Sequence, residues 1–97
     1  MTAIRERRIY RRFRFMLPIK YILYQQKLRF AHAIDFSLGG MRILNTEYLP
    51  TNTKALIEFL PPDWLTTVRV VTEIVHVHNN SFNDNFTLGL RFKSIVH

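Results

Sequence analysis

Alternation with a period of two runs through most of this chain, and no stretch keeps up the spacing of an amphipathic helix. That property confines the fold to β-sheet. The cleanest run is FTLGLRF, residues 86–92, where Phe86, Leu88, Leu90 and Phe92 oppose Thr87, Gly89 and Arg91. RFMLPIKYILY sets Phe15, Leu17, Ile19, Tyr21 and Leu23 on one face, and Pro18 marks an edge or a bend. LRFAHAIDF places Phe30, His32, Ile34 and Phe36 on the core face, with Asp35 and the following Ser37 pointing outward. KALIEFL alternates Ala55, Ile57 and Phe59 with Leu56, Glu58 and Leu60. VRVVTEIVHVH is rich in β-branched residues, which fit a pleated surface. The turn-like pieces NTEYLPTNT, PPDWLTT and NNSFNDN separate these runs. Trp64, in the second of them, is expected to cap a barrel end.

Short strands divided by turns in 97 residues imply one all-β domain, an antiparallel sandwich or a small barrel. Closure is favoured because a barrel removes exposed sheet edges. The chain is 47% hydrophobic, enough to build a core. It has no cysteine, which excludes disulfides and thiolate metal sites and suits a reducing compartment. No apolar run reaches the ~18 residues of a membrane-spanning helix. The arginine-rich start lacks the apolar stretch of a secretory signal, so the expected location is the cytoplasm.

The charge is uneven. Lys plus Arg number 14 against 7 Asp plus Glu. Arg5, Arg7, Arg8, Arg11, Arg12 and Arg14 fall close together, opposed only by Glu6. Such a block attracts an anion: a nucleotide, a nucleic acid or an acidic lipid. The preference for Arg over Lys points to phosphate and guanine recognition, because the guanidinium is a planar fork that also stacks on rings. Residues 1–12 are read as a flexible arginine-rich ligand-binding segment, and 13–97 as the barrel domain.

In DFSLGG, residues 35–40, two of the three glycines stand side by side. They are expected to take positive φ and turn the chain sharply between two strands. Asp35 and Ser37 then flank an open backbone corner where a carboxylate and a hydroxyl can meet a ligand. Upstream, ERRIYRRF carries Arg8 and Arg12 four apart, with Arg7 and Arg11 as a second pair at that spacing. Taken together, Arg8-x-x-x-Arg12 and Asp35-x-Ser37-x-x-Gly40 resemble the two motifs of the PilZ domain family, receptors for the bacterial second messenger cyclic di-GMP. LGLRF at 88–92 resembles that family's last barrel strand.

The resemblance implies a six-stranded antiparallel barrel with its ligand on the outer surface and the Arg segment wrapped over the second motif. It implies Arg8, Arg12, Asp35, Ser37 and Gly40 as cyclic di-GMP contacts. Arg7 resembles an extra arginine of variants that take an intercalated pair of ligand molecules, so two per chain are expected. Arg11, Gly39, Arg42, His76 and Arg91 are secondary candidates. His76 and His78 share a face, but no third metal ligand stands near them, and neither a metal nor a catalytic constellation is expected.

The chain stops at FKSIVH, where many members of the family continue into a helix, so little or no C-terminal helix is expected. A single-domain receptor has no attached output and acts through an unidentified downstream protein or by self-association. The rival reading is a basic β-barrel that binds single-stranded nucleic acid by stacking. The aromatic residues mostly occupy alternating apolar positions, where core packing accounts for them, and this places nucleic acid second.

Overall fold

The computed structural model describes residues 16–24, 26–81 and 84–96. Arg7, Arg8, Arg11 and Arg12, with the whole of segment 1–12, lie outside the described residues. The strands are β1 (Leu17–Leu23), β2 (Leu28–Phe36), β3 (Gly40–Asn45), β4 (Lys54–Phe59), β5 (Val68–Asn80) and β6 (Asn85–Val96). They close into a barrel in the order β1-β2-β3-β6-β5-β4, antiparallel at every pairing. There is no helix among the described residues.

The alternation set out above is what fills the interior. Ile19 and Tyr21 from β1, Ile57 and Phe59 from β4, Val70 and Ile74 from β5, and Leu88 and Leu90 from β6 are all buried. Pro18 pairs with His32 of β2 and lies beyond the β1–β4 ladder, whose first pair is Lys20 with Glu58. It therefore occupies a local edge, which a residue without an N–H tolerates. Leu49, in the loop after β3, is buried and packs into the core, and Tyr48 beside it meets Phe86 edge-on at 5.8 Å. Phe36 and Phe59, at the ends of β2 and β4, meet at 5.9 Å. Trp64 is 57% exposed, so the expected capping role does not fall to it.

Strand β2 departs from its expected facing. Ala31 and Ala33 point into the core, opposite Ile19 and Leu17, while Phe30 and His32 are exposed. The cause is a bulge. The β2–β3 register runs Ala33 with Ile43 and then Asp35 with Arg42, so Ile34 is an extra residue. An extra residue reverses the parity of the strand. Phe36 is thereby turned toward the core beside Met41, and Asp35 joins Arg42 on the outer side.

The buried polar side chains of Thr72, Tyr21 and Asn45 find hydrogen-bond partners inside the barrel. The Thr72 hydroxyl donates to the Ala55 carbonyl at 2.9 Å. The Tyr21 hydroxyl donates to Asn45 Oδ1 at 3.1 Å, and Asn45 Nδ2 donates to the Glu47 carbonyl at 2.9 Å. Burial pushes the Tyr21 pKa above its usual 10.0, with the Asn45 hydrogen bond working the other way. Tyr21→Phe leaves Asn45 Oδ1 without its donor and should cost ~1–3 kcal/mol in chemical denaturation. Because the folded pKa is raised, the stability due to neutral Tyr21 is fully present below the unfolded pKa and is lost as pH rises through the folded one. The gap between wild type and Tyr21→Phe should narrow above about pH 10; a gap independent of pH there would contradict this account.

Candidate functional site

The site is a row of side chains laid across neighbouring strands on the outer face. Asp35 of β2 pairs with Arg42 of β3, Arg42 with Gly89 of β6, and Gly89 with His76 of β5. Two residues along β3 and β6, Gly40, Arg91 and Glu73 form a parallel row. The first row, with Gly40 and Arg91 of the second, lines a cavity of about 480 Å³, within the ~300–1,000 Å³ typical of small-molecule sites. Asp35, Ser37, Gly39, Gly40, Arg42, His76 and Arg91, all singled out from the sequence, line this one cavity.

The geometry of the glycine corner differs from expectation. No glycine has a positive φ; the left-handed turns are taken by Asn52, Asp63 and Asp84. Gly40 is needed for another reason. A Cβ there would lie 2.0 Å from the Leu90 carbonyl oxygen, so the β6 backbone fills the space a side chain would need. At Gly39 a Cβ would meet nothing within 4 Å, and this is where the corner is open. The turn is held by Ser37 N–H donating to the Gly40 carbonyl at 2.9 Å and Phe92 N–H donating to the Gly39 carbonyl at 2.9 Å.

The cavity arginines Arg42 and Arg91 are both tied to carboxylates. Arg42 Nε donates to Asp35 Oδ2 at 2.8 Å, and its Nη2 donates to the same oxygen. The Asp35 hydrogen bond holds the Arg42 guanidinium above its ordinary pKa, against a smaller opposing effect of burial. Asp35 is 4% exposed, so the carboxylate expected to stand open beside the corner is instead covered and engaged by Arg42. Arg91 reaches Glu73 at 3.4 Å and Lys93 reaches it at 3.3 Å. These two cations, Lys93 foremost, hold the Glu73 carboxyl below the usual carboxylate range.

His76 lies against bare backbone at Gly89, where an added Cβ would come within 3.2 Å of the histidine Cβ. His78 and Thr87 extend the wall along the same side. The sequence offers His78 only as the second of a histidine pair, and gives no signal of a role for Thr87 or Glu73. The alternation in FTLGLRF already put Thr87 outward, but Glu73 meets Arg91 only through the β5–β6 register, which shifts between Val71 and Thr72.

Gly40→Ala should cost at least the ~1–3 kcal/mol of an overpacked core site, since the obstructing atom is backbone. Gly39→Ala should stay within about 0.5 kcal/mol. Thermal or chemical denaturation separates the two, and equal stability of both variants would remove the close-approach explanation. Glu73 gives a second check. Its ion pairs contribute above the unfolded carboxyl pKa and are lost as pH falls through the lowered folded value. In an NMR titration, Lys93→Ala should raise the Glu73 midpoint more than Arg91→Ala does; the reverse order would contradict the assigned causes.

No curated protein matches the chain. Among solved structures it is similar in fold to "Structure of Bacillus subtilis Inhibitor of motility (MotI/DgrA)", with a TM-score of 0.76 and 11% identity. That likeness covers 90% of this chain but 43% of the other, so the chain spans less than half of that protein's length. The family model of the PilZ domain matches residues 6–96, taking in the barrel, the Ser-Gly-Gly corner and the arginines before them, and the chain belongs to that family of cyclic di-GMP-binding receptor and adaptor domains.

Proposed function

We propose that this chain is a cyclic di-GMP receptor whose arginine segment closes over the outer cavity when ligand binds and so presents a surface to a downstream protein. The observation that carries the reading is the gathering of Asp35, Ser37, Gly39, Arg42, His76 and Arg91 around a single cavity on the outside of the barrel. The ligand has two phosphates and two guanines. A guanidinium grips a phosphate bidentately or holds guanine O6 and N7, the roles given to Arg8 and Arg12. Asp35 accepts from guanine N1–H and N2–H₂, and Ser37 holds a base or phosphate. In this reading the guanine edge takes over part of the Arg42 contact with Asp35, and the released guanidinium faces the ligand. Gly39 leaves room for the approach.

Arg7 is assigned to the second molecule of an intercalated pair, whose additional phosphates call for another cation. The phosphates neutralise Arg7, Arg8 and Arg12 and lay segment 1–12 across the barrel face. That ordering is the signal to the partner.

Calorimetric titration tests the reading. Cyclic di-GMP should bind much more tightly than cyclic di-AMP, because adenine lacks the donors that Asp35 reads. Each charge-assisted hydrogen bond is worth ~1.5–3 kcal/mol, so Arg8→Ala or Arg12→Ala should weaken binding at least ~10-fold. The wild type should take two molecules and Arg7→Ala one. Equal affinity for the two dinucleotides would remove the role of Asp35, and a ratio of one unaffected by Arg7→Ala would make Arg7 a bystander. Amide exchange in residues 5–13 should slow on binding while the strands change little; an unchanged segment would rule out the closure. Tight, steeply salt-dependent binding of mixed oligonucleotides without a cyclic di-GMP response would favour the nucleic-acid reading instead.

A further inference from the structure

One end of the barrel carries large apolar side chains that the core does not use. Four parts of the chain meet there: the start of β1, the β2–β3 turn, the β4–β5 loop and the tail of β6. Met16 precedes β1, Leu38 sits in the turn, Leu60, Trp64 and Leu65 lie in the loop, and Ile95 stands near the end of β6. All six are exposed, Leu65 at 99% and Leu38 at 71%. Phe36 and Phe59 already close the interior at this end, so these side chains are not its lid. The opposite end exposes Tyr24, Leu28 and Tyr48, two of them with hydroxyls. Large apolar side chains gathered outside a finished core are features of an association surface.

Spacing and charge together select the partner. The six side chains sit on separate tips, divided by polar or backbone-rich stretches such as Ser37, Gly39 and Asp63. A rigid protein would need a pocket for each tip, whereas a fluid surface flows around all of them. An exposed tryptophan suits such a surface, because its ring is apolar and its N–H stays wet at the boundary of a bilayer. The charge is positive where it counts. In the sequence the arginines of segment 5–14 run directly into Met16. Arg69, the second residue of β5, is exposed at this end and has no ion pair among the described residues. Against these cations the β4–β5 loop sets one acid, Asp63, and the whole chain carries +7. Guanidinium groups bind phosphates through charge-assisted hydrogen bonds, and basic segments gather at anionic lipid. We infer that this end of the barrel docks on an anionic lipid bilayer, with Leu38, Trp64 and Leu65 seated at headgroup level. None of the six apolar residues lines the cavity, so the inference stands apart from the ligand reading. The arginines are common to both, and the test is therefore made without nucleotide.

The full chain is mixed with vesicles of phosphatidylglycerol and phosphatidylcholine in equal parts. Trp64 is the only tryptophan, so tryptophan emission reports this loop alone. The chain should sediment with the vesicles, and the emission should move to shorter wavelength as the indole leaves water. Vesicles of phosphatidylcholine alone should bind at least ~10-fold more weakly, because each cation near an anionic surface adds to the attraction. Leu65→Ser and Leu38→Ser should each lower the partition coefficient ~10-fold or more, the loss expected when a leucine that would be buried is removed. Both should keep the wild-type thermal midpoint, as these side chains are outside the core. Tyr24→Ser, at the far end, should leave partition unchanged. A chain that stays in the supernatant overturns the inference, including the case in which another protein uses this end. Sedimentation without a shift in Trp64 emission overturns it equally, since charge alone then holds the lipid. Indifference to both leucine variants, or a loss in Tyr24→Ser as large as theirs, does the same.

Discussion

The bulge between Ala33 and Asp35 decides what each end of β2 faces, and both outer surfaces of the barrel follow from it. Before the bulge, alanines go in and Phe30 goes out; after it, Phe36 goes in and Asp35 is brought beside Arg42. A strand without the extra residue would carry Asp35 inward after Ala31 and Ala33. Its charge would then sit in a core of Ile19, Ile43 and Leu88, where an ionised carboxylate has no compensation. One inserted residue thus gives a short strand two different faces.

The corner beside Asp35 rests on backbone contact more than on turn chemistry. Ser37 and Gly40 close it with a main-chain hydrogen bond, and β6 presses against Gly40 from the far side. The ladder continues past β3 through Phe92 and Gly39. Arg42 is held by Asp35, and Arg91 by Glu73 just outside the lining, where Lys93 also reaches it. The cavity is therefore walled by groups already fixed in register, which lowers the ordering cost that a ligand must meet.

Much of this was legible in the chain. Strands β1, β4 and β6 present inward the residues that alternation assigns, because each keeps one parity along the assigned stretch. The candidates near residues 35–42 come together because they are local, and Arg91 joins them because it lies on the outward side of a strongly alternating strand. What was not legible depends on long-range register. Alternation counts residues and has no way to register a bulge, so it points Phe30 and His32 to the core, whereas Ala31 and Ala33 are buried. Glycine pairs suggest left-handed turns, whereas the demand on Gly40 comes from a strand far away in sequence. Glu73 was overlooked for the same reason: its partners lie 18 and 20 positions along the chain.

The interior of the barrel is filled, and side chains close it at both ends: Leu49 at one, Phe36 and Phe59 at the other. The candidate cavity accordingly lies outside the barrel, where strand residues of outward parity line much of it. These are positions where substitutions typically change stability by no more than ~0.5 kcal/mol. Specificity on such a scaffold can drift with little reference to folding wherever an outward side chain has no partner, which leaves out the ion-paired Asp35 and Arg42 and the Glu73 group. Gly40 and Gly89 are constrained more tightly still, since at both a neighbour already stands where a side chain would go. They are the points at which the history of the fold and the history of its binding surface have to move together.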